Sequence, residues 1–471
     1  MTGMHSFDRR SKRLSWKILS YALWRMRRNP DLDHSESEAT LRARVGETIT
    51  EDGIGGNKAL QLWTDVLAKA CISVDHDRFL AYVPGAPTEA AGMFDVAASA
   101  ANIYGGSWQE GAGAVFAENE ALRWVASIAS LPDTAGGVFV SGGTAGNLSA
   151  LIAARWEWRY RAKGAMDTTR GLIIASRTAH SSIGQAARVM DCDVALVDVD
   201  ARGRMNAAET IATYEGLSEF DKSRVFAFVA TAGTTNAGIV DDLKGIGEYA
   251  DAIDIWFHVD GAYGGAALCA PTRRHLFDGI ETADSFIVDP HKWLFAPFDS
   301  CALVYKDPRI ARAAHTQHAE YLDALHTKND WNPSDYAHHL SRRPRGLPFW
   351  FSLATHGTRA YSDAVERTLR VTEAGAEIIT EAAHTELILE PELSVLLFRR
   401  IGWTPEQYQQ WSDRVLQEGL AFVVPTSWNG ETCLRLCIVN PETARTTFPS
   451  SWSLCNDRRS SYSQRTSWCH C

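Results

Sequence analysis

The chain has 471 residues, of which 45% are hydrophobic and 22% charged, a composition typical of a globular protein with one large domain and a smaller one attached. Its formal net charge of -10 argues against a nucleic-acid partner, which requires a clustered basic surface. No apolar run approaches the roughly 20 residues that span a bilayer, so we expect no membrane contact. The nine cysteines have no zinc-type CxxC spacing, and we therefore expect a cytoplasmic protein without a metal site.

In chain order, the sequence predicts four regions. Residues 1–85 form a mostly helical arm, and residues 86–355 form a large domain. Residues 442–471 form an atypical tail without helical or strand periodicity. Between them, residues 356–441 form a small C-terminal α+β domain, with a helix near 404–419 and strands near 386–389, 394–400, 420–425 and 433–439.

Within the large domain, short β-rich runs alternate with helical patterns. This alternation is typical of the α/β class with a mainly parallel sheet, whose ligands bind at the carboxyl ends of the strands. The polar segment 306–345 is longer than a compact domain usually needs, so we expect it to contribute to function. The seven predicted strands are 136–140, 171–175, 194–199, 224–230, 254–260, 285–289 and 301–305.

Four features lie at or just after the ends of these strands, and each has a purely structural alternative. The Gly-rich turn 141-SGGTAGN-147 can cradle a phosphate with its backbone N–H groups or can be a tight turn only. Asp260 can bind a ligand or cap a helix, and His180 can be a structural hydrogen-bond partner. Lys292 lies in the apolar stretch 285-SFIVDPHKWLF-295, where burial disfavours its charge unless the amine is paired or covalently used.

Together, the four features supply what pyridoxal 5'-phosphate requires. A lysine binds the cofactor covalently, and a carboxylate keeps the pyridine nitrogen protonated so that the ring can withdraw electrons. An imidazole can stack on the ring face, and the Gly-rich turn can hold the phosphate. We therefore predict pyridoxal 5'-phosphate as the cofactor.

The sequence resembles a known family, the group II pyridoxal-phosphate decarboxylases, which act on aromatic amino acids, tyrosine, histidine and glutamate. The resemblance covers residues 130–310 closely and 70–440 less closely. It implies fold type I, the aspartate-aminotransferase architecture, and a homodimer with active sites at the subunit interface, onto which the helical arm would be swapped. The motifs that carry it are, in order, 141-SGGTAGN-147, 230-ATAGTTNAG-238, 257-FHVDGAYGG-265 and 283-ADSFIVDPHKWL-294.

The resemblance also implies roles for individual cofactor-binding residues. Lys292 would be the lysine that binds the cofactor covalently, and Asp260 would be the partner of the pyridine nitrogen. The two ring faces would be contacted by His180 and Ala262. The phosphate would be held by Gly143, Thr144 and His291, and Thr231 would lie beside the cofactor hydroxyl and the substrate.

Two further sets of residues would act on the substrate. Tyr336 aligns with the tyrosine of the family's mobile catalytic loop if one residue of gap is allowed, and it would protonate the carbanion left when carbon dioxide departs. The substrate side chain would meet a pocket that contains Tyr82, Pro84, Tyr104 and Trp108.

Three functions are compatible with this pattern. The first is decarboxylation of an L-amino acid to its amine, with an aromatic substrate predicted; because Val83, Gly85 and Gly106 stand where aromatic-specific relatives are often bulkier or polar, an aliphatic or diamino acid is an alternative. The second is another fold type I reaction, such as transamination. The third is a non-catalytic homologue, against which the intact Lys292, Asp260 and His180 argue, because such a protein has no chemical need for all three.

Overall fold

A seven-stranded mixed sheet forms the centre of the chain, whose computed structural model describes residues 4–5, 7–27, 29–165, 168–317 and 330–447. The spatial order is β1-β7-β6-β5-β4-β2-β3, and β7 runs antiparallel to both of its neighbours while the other pairs are parallel. The α/β prediction is confirmed, and every predicted strand is found within two residues of its expected bounds. The strands are β1 Gly136–Val140, β2 Leu172–Ser176, β3 Asp193–Val197, β4 Val225–Thr231, β5 Trp256–Asp260, β6 Ser285–Val288 and β7 Cys301–Tyr305.

Helices cover both faces of this sheet and produce a hydrophobic core on each side. Successive residues of a strand point to opposite faces, so Val138 and Val140 of β1 enter one core while Phe139 enters the other. The helices that connect or flank the strands are Glu89–Ala101, Trp108–Ile128, Gly143–Arg161, Ser181–Val189, Ala207–Glu215, Glu219–Arg224, Leu243–Ala252 and Pro308–His315.

The N-terminal region is mostly helical, as predicted. It contains the helices Arg9–Met26, Glu38–Val45 and Gly56–Leu62, the last of which continues in irregular helical turns to Ala70. The first helix is capped by the Asp8 carboxylate, which accepts the backbone N–H groups of two first-turn residues. None of the helices in the described part of the chain is long and apolar enough to cross a membrane.

The C-terminal region contains the predicted second sheet, which is antiparallel with the order β10-β11-β9-β8. The long helix Leu347–Glu381 leads into it and is broken at Gly357, where φ of 76° and ψ of 158° suit a residue without a side chain. The remaining elements are β8 Thr385–Leu387, β9 Val395–Arg400, the helix Pro405–Gln417, β10 Val424–Trp428 and β11 Glu431–Cys437.

One predicted strand of this region is wrong in its bounds. The sequence predicted a strand over 420–425, but β10 begins only at Val424. Phe422 instead exchanges backbone hydrogen bonds with the N-terminal segment, accepting from Leu80 and donating to Arg78. The unexpected partner is more than 300 residues away, which local periodicity cannot indicate. Of the predicted tail and the polar segment 306–345, residues 448–471 and 318–329 lie outside the described residues.

Candidate active site

A cleft of about 540 Å³ opens at the carboxyl ends of the parallel strands. The residues that border it come from the turns after β1, β2 and β6 and from the last residues of β4 and β5. These segments are far apart in sequence but meet at the carboxyl ends of the parallel strands, which is where α/β folds bind their ligands. The cleft is bordered by Ser141, Gly143, Thr144, Asn147, His180, Ser182, Thr231, Asp260, Ala262, Asp289, His291, Lys292, Phe298 and His338, among others.

Lys292 lies in the turn after β6 and reaches the cleft with its amine paired. Its Nζ is 3.0 Å from Oδ2 of Asp289, a carboxylate that is only 1% exposed. Burial disfavours the ammonium, but the attraction of Asp289 outweighs it, so the pKa of Lys292 is raised. Lys292 is therefore paired with a carboxylate of its own turn, that of Asp289, three residues earlier in the chain.

Asp260 is the last residue of β5, and its carboxylate faces the cleft within a hydrogen-bond network. Oδ2 accepts Nδ2 of Asn147 at 2.8 Å, and Oδ1 accepts the backbone N–H of Ala262 at 3.1 Å. Asn147 is held in turn by His258, whose Nε2 is 2.9 Å from the amide oxygen. This support fixes the position of a carboxylate that is 4% exposed.

His180 caps the helix Ser181–Val189 and also borders the cleft. Its Nδ1 accepts the backbone N–H of Ser182 at 3.2 Å and is 2.9 Å from the hydroxyl of the same serine. Because Nδ1 is an acceptor, the proton of the neutral ring is carried by Nε2. The hydroxyl of Ser182 also accepts Nδ2 of Asn147 at 2.9 Å, which joins the networks of His180 and Asp260.

The Gly-rich turn and the residues around it have the features of a phosphate cradle. Gly143 begins the helix Gly143–Arg161, and a Cβ at this position would lie 3.0 Å from Cβ of Ala262, so glycine allows the backbone at the helix start to approach its neighbours closely. His291, 7% exposed, accepts the backbone N–H of Ser300 at Nδ1, which leaves Nε2 to carry a proton.

A buried polar atom without a partner also indicates that a ligand completes this cleft. The Oγ1 of Thr231 is buried at the end of β4, and no described residue makes a hydrogen bond to it. Buried hydroxyls are normally paired, so this atom has capacity for a bound group. The orphan hydroxyl, the helix N-terminus at Gly143 and the amine of Lys292 fit pyridoxal 5'-phosphate, which has a ring hydroxyl, a phosphate and an aldehyde.

Not every residue predicted for the site borders the cleft. Tyr336 is 3% exposed and stacks on Trp331, with ring centroids 4.1 Å apart, in the core between the sheet and its helices. The four residues predicted for the substrate pocket also lie outside the cleft wall formed by the described residues; they are Tyr82, Pro84, Tyr104 and Trp108. Within one chain, the positions of these five residues therefore do not support their predicted roles at the cleft.

The comparison with known proteins agrees with this geometry. The family model of the pyridoxal-dependent decarboxylase conserved domain matches residues 52–401. The chain belongs to the pyridoxal-dependent decarboxylase family. An aromatic-L-amino-acid decarboxylase of Bacillus atrophaeus is 29% identical, with 86% of this chain and 85% of that protein covered. An L-2,4-diaminobutyrate decarboxylase of Rhizobium meliloti (strain 1021) is 31% identical, with 74% and 70% covered.

Solved structures show the same fold. The Oryza sativa decarboxylase TDC, crystallised with PLP and tryptamine, has a TM-score of 0.89 and 21% sequence identity, and the alignment covers 96% of this chain and 98% of that chain. The protein is thus a pyridoxal-phosphate-dependent amino acid carboxy-lyase. When bound, the cofactor supplies an electron-withdrawing ring that stabilises the negative charge left when carbon dioxide departs.

The sequence-based prediction missed several residues that the decarboxylase places at the cleft. Asn147 and Asp289 stand inside the quoted motifs, and this was a signal that could have identified them: Asn147 lies near the start of the helix that follows β1, and Asp289 directly follows β6. Ser182 and His338 carry no comparable signal. His338 contacts Ser149 of the helix Gly143–Arg161, and this contact depends on residues that are 189 positions apart.

Proposed function

We propose that the cleft residues hold the cofactor in the arrangement predicted from the sequence. Lys292 binds it covalently, and Asp260 accepts a hydrogen bond from the protonated pyridine nitrogen. His180 and Ala262 contact the two ring faces. The observation that supports this proposal is that all of these groups border one cleft together with the phosphate cradle of Gly143, Thr144 and His291 and the hydroxyl of Thr231.

The surrounding network holds the buried carboxylate of Asp260 in place at the cleft. Asn147 and the backbone of Ala262 donate hydrogen bonds to its two oxygens. A carboxylate held at this position can accept a hydrogen bond from a protonated pyridine nitrogen, while the N–H at Nε2 of His180 is available to a group in the cleft.

Replacing Lys292 by alanine tests this assignment. The wild-type protein should show visible absorbance with the cofactor bound, and borohydride should fix the cofactor to the peptide that contains Lys292. Lys292→Ala should lose the absorbance, the fixation and amine production. Lys306→Ala is the control, because Lys306 follows β7, which runs antiparallel to its neighbours and therefore ends on the side of the sheet away from the cleft. Fixation to another peptide would contradict the proposal.

We propose an aromatic L-amino acid as the substrate. Apart from histidines, the charged side chains among the described residues of the cleft are Asp260, Asp289 and Lys292, and all three lie on the side proposed for the cofactor. A second charge on the substrate would find no free partner in this wall. The exposed Phe298, whose ring centroid is 4.8 Å from that of His291, adds an aromatic surface at the entrance.

A panel of L-amino acids separates the substrate classes. Release of amine and carbon dioxide should be fastest with tyrosine, tryptophan, DOPA or phenylalanine. A preference of about tenfold or more for glutamate or aspartate would contradict the proposal, since a factor of ten is 1.4 kcal/mol, within the discrimination that pocket contacts supply. A similar preference for 2,4-diaminobutyrate would assign the chain to the activity named for the Rhizobium meliloti relative.

We also propose that the decarboxylase is a homodimer. The helix Arg9–Met26 has no buried residue, and Trp16 and Trp24 are 71% and 51% exposed. Exposed indole rings on an amphipathic helix are typical of a surface that a partner covers. Light scattering should therefore give about twice the chain mass of 51.9 kDa. The cytoplasmic location and the domain bounds stay predictions.

A further inference from the structure

Asp289 is a buried carboxylate that contacts the phosphate cradle directly. Its Oδ2 accepts the backbone N–H of Gly143 at 3.2 Å and pairs with Nζ of Lys292 at 3.0 Å. Nε2 of His291 lies 3.5 Å from the same oxygen. The three groups proposed to meet the cofactor's phosphate and aldehyde therefore converge on one carboxylate oxygen.

The charged and polar groups around Asp289 favour the ionised form of its carboxyl. Burial opposes the charge, but the ammonium of Lys292 and the neighbouring His291 outweigh it, so the pKa of Asp289 is lowered. Burial lowers the pKa of His291 and raises that of Cys301 well above its usual range, so both are neutral near pH 8. The neighbouring Cys301 also contributes to the lowered pKa of Asp289. No described residue makes a hydrogen bond of ordinary geometry to the other carboxylate oxygen of Asp289, Oδ1.

A phosphate bound in the same cradle would lie next to the negative charge of Asp289. The carboxylate already takes the N–H at the start of the helix, the position where that helix attracts anions most strongly. Two anions in a buried site repel strongly unless one of them is neutralised. The carboxyl of Asp289 can be neutralised by one proton without movement of the backbone.

We propose that Asp289 is an internal anion that occupies the phosphate cradle, and that binding of the phosphorylated cofactor is coupled to the uptake of one proton by this carboxylate. The inference rests on the proposed function, since it uses the phosphate position assigned to Gly143 and His291. It predicts that cofactor affinity falls as the pH rises above neutrality. A phosphate monoester has its second pKa near 6, so its own titration does not produce this fall.

Calorimetric titration of the cofactor-free full chain with pyridoxine 5'-phosphate tests the coupling. This compound carries the phosphate but no aldehyde, so Lys292 cannot react with it. Between about pH 7 and about pH 9, wild-type protein should bind it with uptake of one proton, seen by comparing buffers of different ionisation enthalpy. The affinity should fall by up to about tenfold per pH unit. Pyridoxine, which lacks the phosphate, should show no uptake.

Asp289→Asn should abolish the uptake, flatten the pH dependence and bind pyridoxine 5'-phosphate at least about tenfold more tightly near pH 8. Asp284→Asn is the matched control, because Asp284 immediately precedes β6 while Asp289 follows it. The control should behave like the wild type. If Asp289→Asn does not fold, the comparison of pyridoxine 5'-phosphate with pyridoxine on wild-type protein still tests the proposal.

The outcomes separate this inference from the proposed function. Equal affinities and equal proton uptake in wild type and Asp289→Asn would overturn the role of Asp289 and would assign any uptake to His291, while leaving the phosphate cradle intact. Failure of pyridoxine 5'-phosphate to compete with pyridoxal 5'-phosphate would overturn both, because the cradle itself would then be misplaced.

Discussion

Asn147 shows how one side chain can fix the protonation of several others. Its Nδ2 donates to Asp260 and to Ser182, so its oxygen is the acceptor for Nε2 of His258. His258 must then carry its proton on Nε2 and accept at Nδ1 from the hydroxyl of Ser285 at 2.9 Å. Burial lowers the pKa of His258 to about 4, which keeps this ring neutral near neutral pH. The direction of each hydrogen bond in the network is thereby determined.

Tyr336 is the residue whose predicted role is least supported by its position. If its phenol donates the proton to the product, Tyr336→Phe should keep cofactor binding and lose amine production by roughly 10²–10⁴-fold, the range for removal of a general acid. Parallel assays of amine and of bound cofactor measure this. Near-normal turnover would assign Tyr336 to packing, where its stack on Trp331 already places it; His180 and His338 would then be the next donors to test.

At the scale of elements, a buried ion pair fixes the segment that leads into the long helix Leu347–Glu381. Arg342 makes two hydrogen bonds to Glu118 of the helix Trp108–Ile128, at 2.6 Å and 2.7 Å, and the two side chains are 0% and 3% exposed. Glu118 also accepts the backbone N–H of Gly346 at 2.8 Å. The pair therefore joins two elements whose sequence separation exceeds 200 residues.

Arg342→Met should destabilise the protein by about 3–5 kcal/mol, because it leaves the carboxylate of Glu118 buried and uncompensated. Urea unfolding followed by circular dichroism measures the loss. The double variant with Glu118→Gln should recover part of it, since the remaining amide can still accept the N–H of Gly346. A loss below about 1 kcal/mol, the value of an exposed pair, would show that water reaches the pair.

At the scale of the whole molecule, buried neutral histidines make stability depend on pH. Burial lowers the pKa of His315 to about 4, and its Nε2 lies 3.0 Å from the carbonyl oxygen of Ser149. The unfolded chain binds a proton to this ring near pH 6.5, whereas the folded chain does not until about pH 4. The stabilisation is therefore complete above about pH 6.5 and is lost as the pH falls towards 4.

We expect the free energy of unfolding to fall by roughly 2–3 kcal/mol for His315 alone between about pH 6.5 and about pH 4.5, because each unit of pKa difference is 1.36 kcal/mol. Burial also lowers the pKa of His339 to about 3, so its protonation should lower the free energy of unfolding further at low pH. Urea unfolding at several pH values measures the slope, and His315→Gln should reduce it. A variant with an unchanged slope would contradict this assignment.

The sequence by itself determined the seven strands of the main sheet and the residues at their ends. Alternation of β-rich runs with helical patterns is a local property, and it placed Asp260 at the end of β5. The motifs also identified Lys292, because a lysine in an apolar stretch requires an ionic or covalent explanation. These inferences needed only residues that are close in the chain.

The tertiary structure alone decided which groups meet. The contact between Gly143 and Asp289 spans 146 residues, and that between Asn147 and Asp260 spans 113. Both depend on the order of strands in the sheet, which periodicity does not encode. Contacts between residues that are distant in the chain likewise decide where β10 begins and place Tyr336 in the core. Local sequence sets the side chains at each strand end, but sheet order and packing decide their partners and therefore their charge.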